Sequence, residues 1–293
     1  MPTILDGKKI AGEIKQEISY KVKALKERGH RPPHLAIIIS GDDGASHTYV
    51  GGKINACKAV GFDFTLMHVA SSVSEAKMIQ HIDNLNQDPD IDGFIVQLPL
   101  PDHISVERVT ESILPEKDVD GFTNQNFGSI VSDSPFLLPA TPFGIMELLK
   151  RYDIETEGKH CVIVGASRIA GAPLSMMMMH QGHATVTICH KYTTDLAGHT
   201  RVADILISAV GKPGLITKDM VKEGAVIIDV GTTRVEDSSR KSGFRLSGDI
   251  DFDNVSSISS SITPVPGGVG PMTIASLLMN TLRAYEIRTG NNK

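Results

Sequence analysis

Cysteine is scarce: Cys57, Cys161 and Cys189 are an odd number, widely spaced in 293 residues. No disulfide framework follows, and a reducing cytoplasm fits. No apolar run reaches the roughly 18 residues that a transmembrane helix needs. Met1 to Ile18 lacks the long apolar core and small-residue cleavage site of a secretory signal. A large charge excess is missing too. The net charge of -5 makes no electrostatic case for nucleic acid or an anionic membrane surface. Neither H-E-x-x-H nor C-x-x-C occurs, and the histidines, including His180 and His183, make no metal set. No catalytic metal is expected. The sequence shows no internal repeat and no low-complexity tract.

What remains is an ordinary globular composition, too long for one core, so two domains are expected. Ile4 to Glu27 reads as a helix with a charged outer face. Leu35–Ser40 reads as a strand, and a helix from Ser46 to Val60 follows, stopped by Gly61. Ser46, Tyr49 and Lys53 are spaced i, i+3, i+7 there and share one side. A phenol and an amine one turn apart suit proton transfer. A solvated lysine beside a half-buried tyrosine fits this stretch alone just as well. Gly51 and Gly52 cost the helix roughly 1 kcal/mol each relative to alanine, which suggests close approach to the backbone.

A strand over Asp63–Val69, a helix from Ser74 to Asn86 and a buried strand within Ile91–Leu98 come next. Strands alternating with helices predict an α/β protein with a parallel, two-faced sheet. Gln97 stands at a strand end, where ligand crevices form, although a glutamine bracing a loop reads equally well. Pro99 and Pro101 stop the sheet. Asp118 and Asp120 flank Val119 in a turn-rich segment. They are either turn carboxylates or acceptors for a ligand with N–H donors. Thr141-Pro142 is a helix start, with Thr141 as N-cap.

The second half opens with a strand, His160–Val164, then Gly165-Ala166-Ser167-Arg168-Ile169-Ala170-Gly171-Ala172-Pro173. A helix from Leu174 to Gln181 follows, with Met176 to Met179 as core filling. Strand, glycine-rich turn and helix form an anion-binding arrangement, although Ser167 replaces the second glycine of G-x-G-x-x-G. The next strand, Ala184–Ile188, ends in Cys189-His190-Lys191. NAD enzymes carry an acid about 20 residues past the glycines. Here the position is basic, which favours a 2′-phosphate and so NADP; a generic basic loop is the alternative. Strands Ala203–Ser208 and Ala225–Asp229 end in small residues, Ala209, Gly211 and Gly231, where a flat cofactor can lie. Glu236 to Arg245 reads as a surface loop or hairpin. Thr263 to Met272 is too rich in proline and glycine for helix or strand. It exposes backbone to a ligand and leads into a helix from Thr273 to Ala284.

Taken in order, six marks resemble the bifunctional methylenetetrahydrofolate dehydrogenase/cyclohydrolase family. They are Ser46-x-x-Tyr49-x-x-x-Lys53, Val96 to Pro101, Lys117 to Phe122, Pro139 to Pro142, Gly165 to Pro173, and Pro264 to Thr273. The resemblance runs over essentially the whole chain. It implies two α/β domains with a cleft between them. Residues 1–140, joined by the C-terminal helix 271–293, are the folate-binding catalytic domain. Residues 141–270 are a Rossmann-type NAD(P)-binding domain. It implies oxidation of 5,10-methylenetetrahydrofolate to the methenyl compound with NADP+, then hydrolysis to 10-formyltetrahydrofolate, in one-carbon metabolism and purine biosynthesis. A cytoplasmic homodimer is implied as well.

By that resemblance Lys53 is the central catalytic group, Tyr49 positions the folate, Gln97 tunes the lysine, and Asp120 binds the pterin. Ser46, Leu98, Pro99, Val265, Pro266, Gly267 and Gly268 contact the substrate. Thr141, Gly165, Ala166, Ser167, Arg168, Gly171, His190, Lys191, Ala209, Gly211, Gly231 and Thr232 bind the cofactor. Three positions depart from the family. Many members have Arg where Ala166 stands and Ser where Lys191 stands, and the position of Thr232 is usually apolar. The first two bear on the 2′-phosphate, so NAD stays open beside NADP. A short-chain dehydrogenase also uses Tyr-x-x-x-Lys, but its cofactor glycines precede that motif. A redox-sensing repressor needs a basic DNA-reading domain, which is absent. A folate-binding pseudoenzyme is expected to lose Lys53 or Asp120, and both are present.

Overall fold

The structure, a computed structural model, describes residues 1–41, 44–240 and 243–290. Residues 241–242, in the expected loop or hairpin, and 291–293, the end of the expected C-terminal segment, lie outside the described residues, as does the side chain of Ala45. The elements begin with β1 (Thr3–Ile4), α1 (Gly7–Glu27), β2 (His34–Ser40), α2 (Gly44–Val60), β3 (Asp63–Val69) and α3 (Glu75–Gln87). Then come β4 (Gly93–Val96), α4 (Val106–Glu111), α5 (Asn124–Val131), α6 (Ala140–Arg151), β5 (His160–Val164) and α7 (Gly171–His180). The last are β6 (Thr185–Cys189), α8 (Leu196–Thr200), β7 (Ile205–Ser208), β8 (Val226–Asp229), β9 (Thr233–Glu236), β10 (Phe244–Ser247), α9 (Phe252–Val255), β11 (Ser261–Ile262) and α10 (Val269–Thr289). They fall into two compact units. Gly12–Ala140 with Ile274–Lys293 is the lysine unit; Met1–Ala11 with Thr141–Thr273 is the glycine-turn unit.

The lysine unit holds a parallel sheet in the order β3-β2-β4. Leu35 to Ile39 of β2 are all buried, because a parallel strand is covered on both faces. Ala36 and Ile38 on one face share a core with Met78, Ile82 and Leu85 of α3. Ser74 accepts from Lys77 N at 3.3 Å and starts α3 as its N-cap. The buried Lys117 ends that helix by donating to Leu85 O at 2.8 Å and Asp88 O at 2.6 Å. An ammonium is favourable at the negative end of a helix. Burial lowers its pKa, and nearby Arg288 lowers it further. Asp92, fully buried, takes Arg31 on both oxygens at 2.7 and 2.9 Å and His34 N at 2.8 Å. Arg288 of α10 stands 3.3 Å from the same carboxylate.

The glycine-turn unit holds a six-stranded sheet in the order β1-β11-β8-β7-β5-β6, parallel at every pairing. The chain runs from β5 to β6 on one side and from β7 to β8 on the other. The crevice where strand order reverses therefore lies between the ends of β5 and β7.

The structure corrects several expectations. Thr3–Ile4 is not helix but a strand paired with Ser261–Ile262, and α1 starts only at Gly7. Two residues are too few for a period to show. The same pairing puts Met1–Ala11 in the glycine-turn unit. Val269, Gly270 and Pro271 form the first turn of α10 rather than loop. Backbone N–H groups there have no partner inside the helix, so proline costs nothing. Helices α4 and α5 were not expected. Of the four methionines, Met177 and Met178 are buried, but Met179 is 44% exposed. The polar segment after β8 is an antiparallel hairpin, β9 with β10.

Candidate active site

The buried face of α2 is a stripe: Ser46, Val50, Lys53, Cys57 and Val60. Lys53 thus occupies a position that an apolar residue would normally fill, and it is 8% exposed. Its Nζ donates to Gln97 Oε1 at 3.0 Å. Gln97 Nε2 donates to Leu98 O at 2.7 Å, which fixes the amide with its oxygen toward the ammonium. Gln97 therefore both braces its loop and holds the lysine. Tyr49, at the margin of the stripe, is 48% exposed. Outside its own helix turn and among the described residues, nothing lies within 4 Å of a Cβ placed at Gly51, and one at Gly52 meets Ile274 Cδ1 at 3.5 Å, an ordinary contact. Among the described residues, the expected close approach to these glycines is not made. Burial pushes the Cys57 thiol, one turn from Lys53, up to about 12. Cys161 is pushed to about 12 as well, so neither is a nucleophile.

The two aspartates near Val119 separate in role. Asp118 accepts from Gly121 N, Phe122 N, Thr123 N and Asn126 Nδ2, all within 3.1 Å. It is the turn carboxylate. The Asp120 carboxylate has no hydrogen bond to the described residues, while its carbonyl accepts from Ala140 N at 3.1 Å. Its surroundings desolvate it and raise its pKa; the charge of Lys53 opposes this, and that of Asp118 adds to it. A carboxylate left without donors, within the field of a held lysine, is equipped to accept from a ligand. Leu98–Pro99, beside Gln97, is a cis peptide.

In the glycine-turn unit, Gly165 has φ +115°, and a Cβ there would stand 2.4 Å from Ala209 O. A Cβ on Gly171 would stand 1.7 Å from Gly165 O. Both glycines are required by close backbone approach at the strand-order crevice. Ala166, Ser167 and Arg168 are exposed on this turn. No side chain caps α7; within its first turn Ala172 N donates to Ser167 O of the turn at 3.0 Å, and Pro173 has no N–H. Thr141 is not an N-cap. It is the second residue of α6, and its Oγ1 lies 3.0 Å from Thr273 Oγ1.

After β6, His190 Nδ1 accepts from Tyr192 N at 3.2 Å, and Lys191 Nζ lies 4.9 Å from the centre of the Tyr192 ring. After β7 and β8, Gly211 and Thr232 are exposed and Gly231 is buried. Thr233 Oγ1 donates to Gly211 O at 3.1 Å. The Val265–Gly268 loop belongs to this unit. Val265–Pro266 is cis, Gly268 N donates to Pro264 O at 2.8 Å, and Lys8 N donates to Gly267 O at 2.9 Å. Three residues here escaped the sequence reading: Tyr192, Asp229 and Asp249. Each ends or follows a strand; Tyr192 meets its neighbours His190 and Lys191, whereas partners far along the chain give Asp229 and Asp249 their roles. Among the described residues, no group of His, Cys, Asp and Glu is placed to hold a metal, and no helix is long and apolar enough to cross a membrane.

Residues 5–120 match the family model of the tetrahydrofolate dehydrogenase/cyclohydrolase catalytic domain, and residues 139–289 that of its NAD(P)-binding domain. The bifunctional protein FolD of Flavobacterium psychrophilum is 54% identical over 292 residues, 99% of either chain. The Campylobacter jejuni FolD structure superposes with a TM-score of 0.93 at 46% identity, covering 98% of this chain and 100% of that one. The Trypanosoma brucei enzyme, solved with NADP and an inhibitor, gives 0.94 at 38% identity, covering 98% of each. Both halves match over nearly their full length, and the chain belongs to the tetrahydrofolate dehydrogenase/cyclohydrolase family.

Proposed function

We propose that this chain oxidises 5,10-methylenetetrahydrofolate to 5,10-methenyltetrahydrofolate with NADP+ and then hydrolyses that product to 10-formyltetrahydrofolate. The observation that carries this is Lys53 on the buried stripe of α2, held by Gln97 and within the field of the unpartnered Asp120 carboxylate. NADP+ supplies the hydride acceptor. The exposed turn Ala166–Arg168, leading into α7, suits its phosphates. Thr141, Gly171, His190, Ala209, Gly211, Gly231 and Thr232 are assigned to the same cofactor. The methenyl ion is already electrophilic, so hydrolysis needs a positioned water and a proton acceptor. Lys53 is the group assigned to take that proton. Tyr49, Ser46, Leu98, Pro99 and the Val265–Gly268 loop are assigned to the folate. The folate half is residues 12–140 with the C-terminal helix; the dinucleotide half is 141–273 with the first eleven residues. Absorbance assays with methylenetetrahydrofolate, using NADP+ and NAD+ in turn, test the reading. No turnover with either cofactor would sink it.

Asp120→Ala should weaken folate binding by one to two decades. A charged hydrogen bond contributes about 1.5–3 kcal/mol. Protonation removes that charge, and the raised pKa moves this loss to a higher pH than an ordinary aspartate gives. Folate affinity measured against pH for both proteins checks it; an unchanged affinity in the variant would leave Asp120 a turn residue.

Lys191 supplies the charge for the 2′-phosphate, in place of the guanidinium lost at Ala166. Lysine is a point charge rather than a bidentate fork, so the preference for NADP is modest and weakens with salt. Lys191→Ser should raise the KM for NADP and leave that for NAD nearly unchanged. Steady-state kinetics at two ionic strengths decide it, and equal effects on both cofactors count against Lys191. The chain is further proposed to act as a cytoplasmic homodimer that supplies formyl groups for purine biosynthesis. Its buried, unpaired thiols suit a reducing compartment.

A further inference from the structure

Asp249 follows the β9–β10 hairpin, far in sequence from any cofactor motif, yet it is completely buried. Its Oδ2 accepts from Ser208 Oγ at 2.9 Å and Val210 N at 2.7 Å, and its Oδ1 accepts from Lys212 N at 2.8 Å. One carboxylate therefore holds the end of β7 and two successive points of the loop after it. That loop contains Ala209 and Gly211. The loop after β8 leans on the same group, because a Cβ at Gly231 would stand 2.3 Å from Asp249 Oδ1.

Behind it stands a second buried carboxylate. Asp229 accepts from Gly231 N at 3.0 Å, Asp249 N at 2.9 Å and Ile250 N at 3.0 Å. Burial, with the charge of Asp249 adding to it, pushes the Asp229 carboxyl up to about 6. No cation forms a salt bridge with either group among the described residues. Two neighbouring buried carboxylates without a cation are costly, and an apolar filling would cost less. Their acceptors face the backbone of the two loops on the C-terminal edge of the sheet, where dinucleotides bind in this topology. An apolar side chain could fill the space but could not fix those N–H groups.

We propose that Asp249 is a positioning residue for the dinucleotide: it sets the 209–212 loop, and through Gly231 the loop after β8, in the shape that NADP requires. The proposal rests on the assignment of those loops to the cofactor. Asp249→Asn keeps the volume but replaces one acceptor oxygen with donors, so one N–H of Val210 or Lys212 loses its partner. Ser208→Ala removes a single bond to the same carboxylate and is the milder variant. Gly211→Val, at φ +74°, disturbs the loop without touching Asp249.

Three quantities are measured on the full chain: the NADP dissociation constant, the KM for NADP in dehydrogenation, and the rate of methenyl hydrolysis without cofactor. Asp249→Asn should raise the first two about tenfold and leave hydrolysis within twofold of wild type. Ser208→Ala should move the same quantities less. A fall of both activities together with the melting temperature would mean that Asp249 only braces the fold. Weakened NADP binding in Gly211→Val but not in Asp249→Asn or Ser208→Ala would overturn the proposal alone. Unchanged binding in all three variants would overturn the cofactor assignment of the loop as well.

Discussion

Lys53→Met is expected to lower methenyl hydrolysis by about 10²–10⁴-fold, the usual contribution of a positioned proton-transfer group. Methionine has nearly the length of lysine, and position 53 lies on the buried stripe with Val50, Cys57 and Val60. The apolar side chain suits that face, so the fold persists. What disappears is the donor to Gln97 Oε1 and the positive charge acting on Asp120. That charge lowers the Asp120 pKa, so its removal drives the carboxyl further up and weakens folate binding in addition. NADP binding, which the other unit is assigned, should persist. Single-turnover hydrolysis with NADP titration on the same preparation checks both halves. A near-normal hydrolysis rate would remove Lys53 from the centre of the mechanism.

Asp92→Ala should cost about 3 kcal/mol of stability in the lysine unit, at the lower end of the range for breaking a buried pair. Asp92 is fully buried, whereas the Arg31 and Arg288 side chains keep 33% and 23% of their exposure, so water recovers part of the loss. The substitution leaves Arg31 with only the exposed Asp90, 3.9 Å from its Nε, and takes from Arg288 the carboxylate it stands against. It also takes the acceptor from His34 N. Arg288 Nε, already buried without a partner, cannot compensate. Urea unfolding followed by far-ultraviolet circular dichroism gives the number. A loss below about 1 kcal/mol would mean that apolar packing along α10, rather than this clamp, holds its end in the unit.

Local pattern carried much of the fold. Strand β3 and strand β5 were legible end to end: β5 is a short apolar run, and β3 stands between two helix patterns in an alternating α/β chain. Lys53 and Gly165 were legible as candidates for the same reason: helical spacing and a strand–turn–helix pattern are local. Other features depended on partners far along the chain. Strand β1 exists only because Ser261–Ile262 lies beside it. Asp118 and Asp120 look alike in sequence, and only the N–H groups gathered around Asp118 tell the turn carboxylate from the available one.

The two sheets show this most clearly. No repeat is visible in the sequence, yet β2 and β5 open in the same way. His34 Nε2 bonds Thr65 of β3, and His160 Nε2 bonds Thr187 of β6, both at 2.9 Å. The backbone N–H of each histidine is taken by an aspartate just before the strand paired on the other side, Asp92 before β4 at 2.8 Å and Asp204 before β7 at 2.9 Å. The sequence alone determined the α/β alternation, the approximate strand positions and the residue types on offer at their ends. Which carboxylate closes which strand, and which is left for a ligand, was decided by tertiary structure, because a buried charge takes its role from the donors that surround it rather than from its neighbours in the chain.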